Sequence, residues 1–291
     1  MSRQNSIWRK YLGREAIRRL EVVTLVIVSM LRVDSAQWLP HPNPVWSLHA
    51  TNVGGIEQLV LQDGTRVDLN TDSEVKVRFT GGQREVVLTH GEAFFAVMHR
   101  ADWPFSVRAG SATIRAVGTK FSVRLREDNE ADVIVIEGRI AIEGSTEAAV
   151  GSARLSQGTI PFSLTASAGE SIAVSSTTLG ARTNLSPATL KRRTAWIDGW
   201  IWFSKDPLPQ AVAEFNRYHR QQLVLVDPAL ATLEIGGRFR STDLGSFIAT
   251  LEHSFDVRAT FPAVRGTGAA TIYLTGRCLR AQQQCNWPMV Q

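Results

Sequence analysis

Cysteine is almost missing from this chain: only Cys278 and Cys285 occur in 291 residues, and both fall within the last fifteen positions. A disulfide framework is therefore excluded for the body; a bridge between these two would tie only a Gln-rich tail and would contribute modestly to the fold. Six histidines are scattered through the sequence with no Cys/His spacing, so a metal site has no support, and no cofactor-binding motif is seen. A nucleophile beside its base, or a pair of carboxylates, is concentrated nowhere, which argues against an enzyme and against a glycan-acting one in particular. Long apolar runs are also absent. The longest is the ten residues Val22–Leu31, stopped by Arg32 and Asp34.

Positive charge is scarce where a polyanion-binding protein would need it. The formal charge is +5, but residues 1–19 already hold six basic side chains (Arg3, Arg9, Lys10, Arg14, Arg18, Arg19) against Glu15 alone. The rest of the chain sums to zero, so nucleic acid is not an expected partner. The basic leader (1–19) followed by the apolar segment (20–33) has two readings. Even Leu20 to Val33 would span only about 21 Å as a helix, short of the roughly 30 Å hydrocarbon core, which suits a signal peptide cleaved near Ala36. A short single-pass inner-membrane anchor is the other, with arginines snorkelling, Trp38 and Trp46 at the far interface and the leader in the cytoplasm. Either reading exports the body to the periplasm.

What is present is β-pattern. After a Pro-rich spacer (34–52), Ile56–Leu61, Arg66–Leu69, Val75–Phe79 and Glu85–Leu88 read as strands joined at Asp63-Gly64 and Gly81-Gly82, as hairpins or solenoid corners. Leu88, Ala93, Phe95 and Val97, then Phe105 and Val107, then Ile114 and Ala116, then Phe121 and Val123 continue the alternation, and no helical period fits them. Strands resume around the corners Glu137-Gly138-Arg139 and Ala168-Gly169-Glu170, with an irregular loop expected over 144–168. Residues 180–193, polar and ending in Lys191-Arg192-Arg193, read as an exposed, protease-sensitive linker. Beyond it the periods change. A strand-like run from Trp196 to Phe203 leads through Pro207 into a helix with Leu208, Val212, Phe215 and Tyr218 on one stripe, leaving Gln210, Glu214 and Arg217 outside it. Strands at Leu223 and Leu233, a second helix capped at Ser241 or Asp243, and strands at Val257 and Ala270 complete the order β-α-β-β-α-β-β.

Three of these stretches carry a resemblance. Gly91-Glu92-Ala93-Phe94-Phe95, Pro104-Phe105 and Gly118-Thr119-Lys120-Phe121 resemble, in order and spacing, the core signature of the FecR family of transmembrane anti-sigma regulators. Leu59–Ser73 and the Asn216-Arg217-Tyr218 segment are also similar to it. The resemblance implies a β-solenoid-like FecR domain (53–179), a linker (180–193), an α/β domain (194–276) similar to the signalling domains of secretins and TonB-dependent receptors, and a tail (277–291). It implies a periplasmic regulator that relays the state of an outer-membrane TonB-dependent receptor, often a ferric-siderophore transporter, to an extracytoplasmic-function sigma factor. Family members usually place a sigma-binding helical domain before the membrane segment, whereas fewer than twenty residues stand there here. An exported binding module that has lost signalling is the competing expectation.

Individual residues divide in the same way. Glu92 reads as a corner carboxylate bonded to backbone amides. Gly118-Thr119 reads as a turn with glycine at positive φ; the resemblance adds a self-cleavage bond, with the threonine hydroxyl attacking the glycine carbonyl. Trp196, Trp200 and Trp202 are either a partner-binding surface or a seam between the two parts, with Trp200 and Trp202 on one face of a strand and Ile201 on the other.

Overall fold

β5 (Arg84–Ala96) is the axis of the molecule: thirteen residues long, it belongs to two halves of one curled sheet. Residues before Gly91 pair with β1 (Ser47–Ala50) through β4 (Glu74–Phe79), and in parallel with β6 (Phe105–Ala109). Residues from Gly91 on pair with β3 (Arg66–Leu69), itself paired to β2 (Glu57–Val60), and with β8 (Lys120–Leu125). Gly91 makes the bend at φ 83°, and a Cβ there would lie 2.2 Å from Ser73 Oγ, so no other residue fits. The first half continues through β7 (Ala112–Ala116), β10 (Arg139–Glu147) and β11 (Thr159–Ser167), the second through β9 (Ala131–Glu137), β12 (Glu170–Val174) and β13 (Leu179–Asn184). The structure, a computed structural model, describes residues 45–147, 159–176, 179–261 and 271–276.

Alternation along the strands puts one apolar set between the two halves. Val86, Leu88, Phe95, Phe105, Ile114, Phe121, Ile140 and Ile172 are all at most 1% exposed, and the Phe95 ring stacks on Phe121 with centroids 5.2 Å apart. Phe94, on the opposite face, is covered by the Arg66 guanidinium. Within this core lies one ion pair. Arg84, fully buried, meets Asp63 at 2.5 Å and donates to the carbonyls of Trp103 and Met98.

The second part follows the expected order. A short helix α1 (Pro187–Arg193), capped by Ser186, leads to a 3-10 turn (Ala195–Asp198). β14 (Trp200–Pro207), α2 (Leu208–Tyr218), β15 (Gln222–Leu225), β16 (Glu234–Arg240), α3 (Leu244–Ser254), β17 (Val257–Thr260) and β18 (Thr271–Gly276) then form a two-stranded sheet, β14-β16, and a three-stranded one, β15-β18-β17. Leu208, Ala211, Val212, Phe215 and Tyr218 are the buried stripe of α2, and Asp243 caps α3 by accepting from the Ser246 amide. Phe203, Phe215, Phe239 and Phe247 cluster where the helices meet β14 and β16. This core shares no residue with the first.

Several expectations change. The β part is mainly antiparallel, with β5–β6 as the one parallel pairing among its described strands; parallel coils of a solenoid are not what the hairpins at Gly64 and Gly81-Gly82 build. Strand structure among the described residues begins at Ser47, inside the stretch read as spacer, because β1 finds the edge of β4. The loop expected over 144–168 is in large part the β10–β11 hairpin, with 148–158 outside the described residues. The stretch 180–193, read as a linker, is strand β13 and helix α1. The leader, the apolar run, most of the Pro-rich spacer and both cysteines lie outside the described residues, among which no helix is long and apolar enough to cross a membrane. From Trp46 on, the described chain is one unit.

Candidate functional site

Two apolar cores that share nothing must be joined by something else, and here the joint is polar. Glu92, one residue past the β5 bend and 6% exposed, donates its amide to Ser73 Oγ. Its carboxylate accepts from Asn70 Nδ2 at 2.9 Å and from Arg217 Nη2 at 3.0 Å. Asn70 also donates to the Tyr218 hydroxyl at 2.9 Å, and Thr71 Oγ1 donates to the Arg217 carbonyl at 2.9 Å. Arg217 is held in turn by Glu214, 2.7 Å away on the same helix face, and Glu214 receives Arg124 of β8 at 3.2 Å. Three segments far apart in sequence, Leu69-Asn70, Gly91-Glu92 and Asn216-Arg217-Tyr218, therefore close on one network. Asn216 anchors it from behind by bonding both the amide and the carbonyl of Leu223, which fixes α2 to β15.

Burial raises the Glu214 carboxyl, but the Arg217 and Arg124 guanidiniums outweigh it and hold the group below its ordinary range. Burial disfavours charge on Arg217 as well, yet Glu214 and Glu92 keep it firmly protonated. Tyr218 is pushed up, by burial first and then by the same two carboxylates, so its hydroxyl stays neutral.

A second cluster joins the parts at the other side. Asp132 of β9 is paired with Arg193 at the end of α1 and with Arg126 at 3.5 Å, while Ser171 accepts from Arg193 at 3.0 Å. A cleft of about 500 Å³ is lined by members of both clusters, among them Glu92, Asp132 and Arg193, and by Trp196, Trp200 and Trp202.

The sequence-singled residues fall in three places. Phe95, Phe105 and Phe121 are core, Phe94 backs it, and Pro104 is exposed, its carbonyl accepting the Arg84 amide at 3.1 Å. Glu92 does not bond backbone amides with its carboxylate; side chains from both parts take it. Trp196 sits in the 3-10 turn, not in a strand, and is 5% exposed with its indole N–H unpartnered. Trp200 and Trp202 lie half-buried on the outer face of β14, with Ile201 and Phe203 inward. Gly118 does not take a positive φ; glycine is required because a Cβ would stand 2.5 Å from His99 Nδ1. Thr119 beside it is 5% exposed, and its hydroxyl has no hydrogen-bond partner.

Asn70, Arg217, Tyr218, Arg124, Asp132 and Arg193 were not singled out as site residues. The Glu214 and Arg217 spacing, an i,i+3 pair flanking an apolar stripe, is a sequence signal for Arg217 alone.

Residues 47–141 match the family model described as FecR protein, so the β-rich part carries a FecR domain. Two crystal structures of proteins provisionally named anti-sigma factors from Parabacteroides distasonis share the fold. One is 24% identical with a TM-score of 0.59, covering 80% of this chain and 99% of that one. The other is 25% identical with a TM-score of 0.58, covering 79% and 99%. No curated protein matches the chain.

Proposed function

We propose that this chain, as the bearer of a FecR domain fused to a small α/β unit, is an exported regulator of the anti-sigma type. In this reading it is anchored in or released from the inner membrane, and it relays the state of an outer-membrane TonB-dependent receptor to an extracytoplasmic-function sigma factor. The observation that carries it is the joint: Glu92 of the FecR domain is bonded to Arg217 of the α/β unit within a network of polar contacts, so a partner seated on that unit would act on the FecR domain through polar contacts rather than through a shared apolar core. A rigid binding module has no need of two separate cores with a breakable link. The test is a sigma-dependent reporter in cells carrying the chain, the receptor and its inducing ligand. Reporter output that follows the ligand in wild type, and loses that dependence in Arg217→Gln, supports the relay. Output indifferent to deletion of the whole chain favours the binding module.

The unpartnered Thr119 hydroxyl favours a second reading for one bond. Thr119 Oγ1 attacks the Gly118 carbonyl carbon, the C–N bond breaks as the nitrogen takes the proton, and the resulting ester is hydrolysed by water to a Gly118 carboxylate and a free Thr119 amine. β7 and β8 would hold the two fragments together, since each is paired elsewhere in the sheet. Purified wild type should give two bands on a denaturing gel, Thr119→Ala one, and Thr119→Ser two again; a single wild-type band with no amino terminus at Thr119 would reduce the pair to a turn.

A further inference from the structure

The arginines of the α/β unit are not all spoken for. Arg192 meets Asp206 at 2.7 Å, and Arg193 and Arg217 have the acids described above. Arg238 and Arg240, at alternate positions of β16 and both exposed, have no acidic partner among the described residues. Their guanidinium carbons lie instead over one ring, 4.1 and 3.9 Å from the centroid of Trp200. Trp200 faces Arg240 across the β14–β16 pair, and Trp202 faces Arg238, so two cations and two indoles make one strip. Stacking on the indole fixes each guanidinium plane; Arg240 Nη1 also donates to the Asp198 carbonyl at 3.5 Å, and the remaining N–H groups are left for a carboxylate.

The strand under this strip is open. Among the described residues β16 pairs with β14 alone, and α1 is tied to β14 through Arg192 and Asp206, so the open edge is that of β16. Gly236 and Gly237 place no side chain along it, and a Cβ at Gly236 would meet nothing within 4 Å. A strand added here would find unpaired backbone groups and, on the Trp200 face, two unneutralised cations. Cross-strand neighbours stand about 5 Å apart at Cβ, and alternate residues share a face, so acids at two alternate positions would sit opposite Arg238 and Arg240.

We infer that the β16 edge docks an extended segment carrying Asp or Glu at alternate positions, contributed by the partner protein. The inference rests on the relay reading for its biological partner and deepens it by naming that partner's chemistry. A nucleic acid would satisfy the arginines but would leave the strand edge unused.

The test uses the full chain and a fluorescent decapeptide in which glutamate alternates with valine, followed by anisotropy. The acidic peptide should bind, more weakly as salt is raised, and Arg238→Gln and Arg240→Gln should each weaken it roughly tenfold. Arg238→Lys and Arg240→Lys, which keep the charge but lose the plane, should fall between. Unchanged melting temperatures identify a Gln variant as folded; where one shifts, the Lys variant of that position decides. Equal binding of a lysine-valine peptide, or tighter binding of a single-stranded oligonucleotide that the same substitutions abolish, would overturn the inference. The receptor's signalling domain separates the two ideas. If it binds wild type and both Gln variants alike, the acidic-strand inference falls and the relay stands. If the acidic peptide binds as described and no signalling domain does, the relay falls and the β16 site stands.

Discussion

Two carboxylate–guanidinium pairs, built from the same groups, do opposite work in this molecule. Asp63 and Arg84 lie inside the FecR domain with both side chains at 0% exposure, and the surrounding donors and acceptors come from that domain. Glu92 and Arg217 join the FecR domain to the α/β unit, with side chains 8% and 20% exposed. A sealed pair can be broken only by unfolding what seals it, because desolvation makes each lone charge costly. A pair at the border of two separate apolar cores can be broken while both cores stay intact. The lesson is that polar contacts here set where the molecule is able to come apart, and apolar ones set what stays together.

The largest effect should come from the sealed pair. Asp63→Ala leaves Arg84 buried and unpaired and should cost about 3–5 kcal/mol, read as a lower denaturant midpoint of the FecR domain. A loss no larger than that of a border substitution would erase the contrast.

Acid should act on the border next. Glu214 has its carboxyl lowered from an ordinary 4.5, so it contributes stability that is fully present above the ordinary value and is lost as pH falls through the lowered one. Its side chain is 27% exposed and can take a proton in place, whereas Asp63, also held low against burial by Thr65 and Arg84, needs its core opened. Scattering at falling pH should therefore show the particle lengthening before β circular dichroism is lost. Simultaneous loss of both signals would deny the border its independence.

The smallest effect belongs to Trp196. Its ring is buried but its N–H bonds nothing, so Trp196→Phe forfeits no hydrogen bond and should change stability by about 1 kcal/mol or less in thermal melts. A much larger loss would place Trp196 among the contacts that join the two parts.

How much of this was legible in the sequence follows from what the period rules encode. Alternation at Phe95, Phe105 and Phe121 gives the core directly, since side-chain direction in a strand is fixed by position. The α2 stripe is equally plain, and so is the order of elements after Trp200. The curl of the sheet was not, because the change of half at Gly91 is a bend inside one strand and carries no gap in the hydrophobic pattern. Helix α1 hid behind a polar composition: with no buried residue of its own, it is stabilised by the Ser186 cap, Pro187 and the basic last turn. The joint was the least legible, since Asn70, Glu92 and Arg217 acquire meaning only when the fold brings three distant segments together. Even so, Glu92 and the Asn216-Arg217-Tyr218 segment both lie in stretches that carry the family resemblance, which says nothing of their touching.

The central claim is that two separate apolar cores are joined across polar contacts, with the Glu92–Arg217 network as the chief link beside the Asp132–Arg193 pair. Differential scanning calorimetry of wild type and Arg217→Gln tests it most directly. Wild type should melt with the two parts coupled, and Arg217→Gln should split into two transitions, the FecR-domain one unmoved and the α/β one displaced to lower temperature. A single transition that merely shifts as a whole in Arg217→Gln would show one indivisible body and contradict the account.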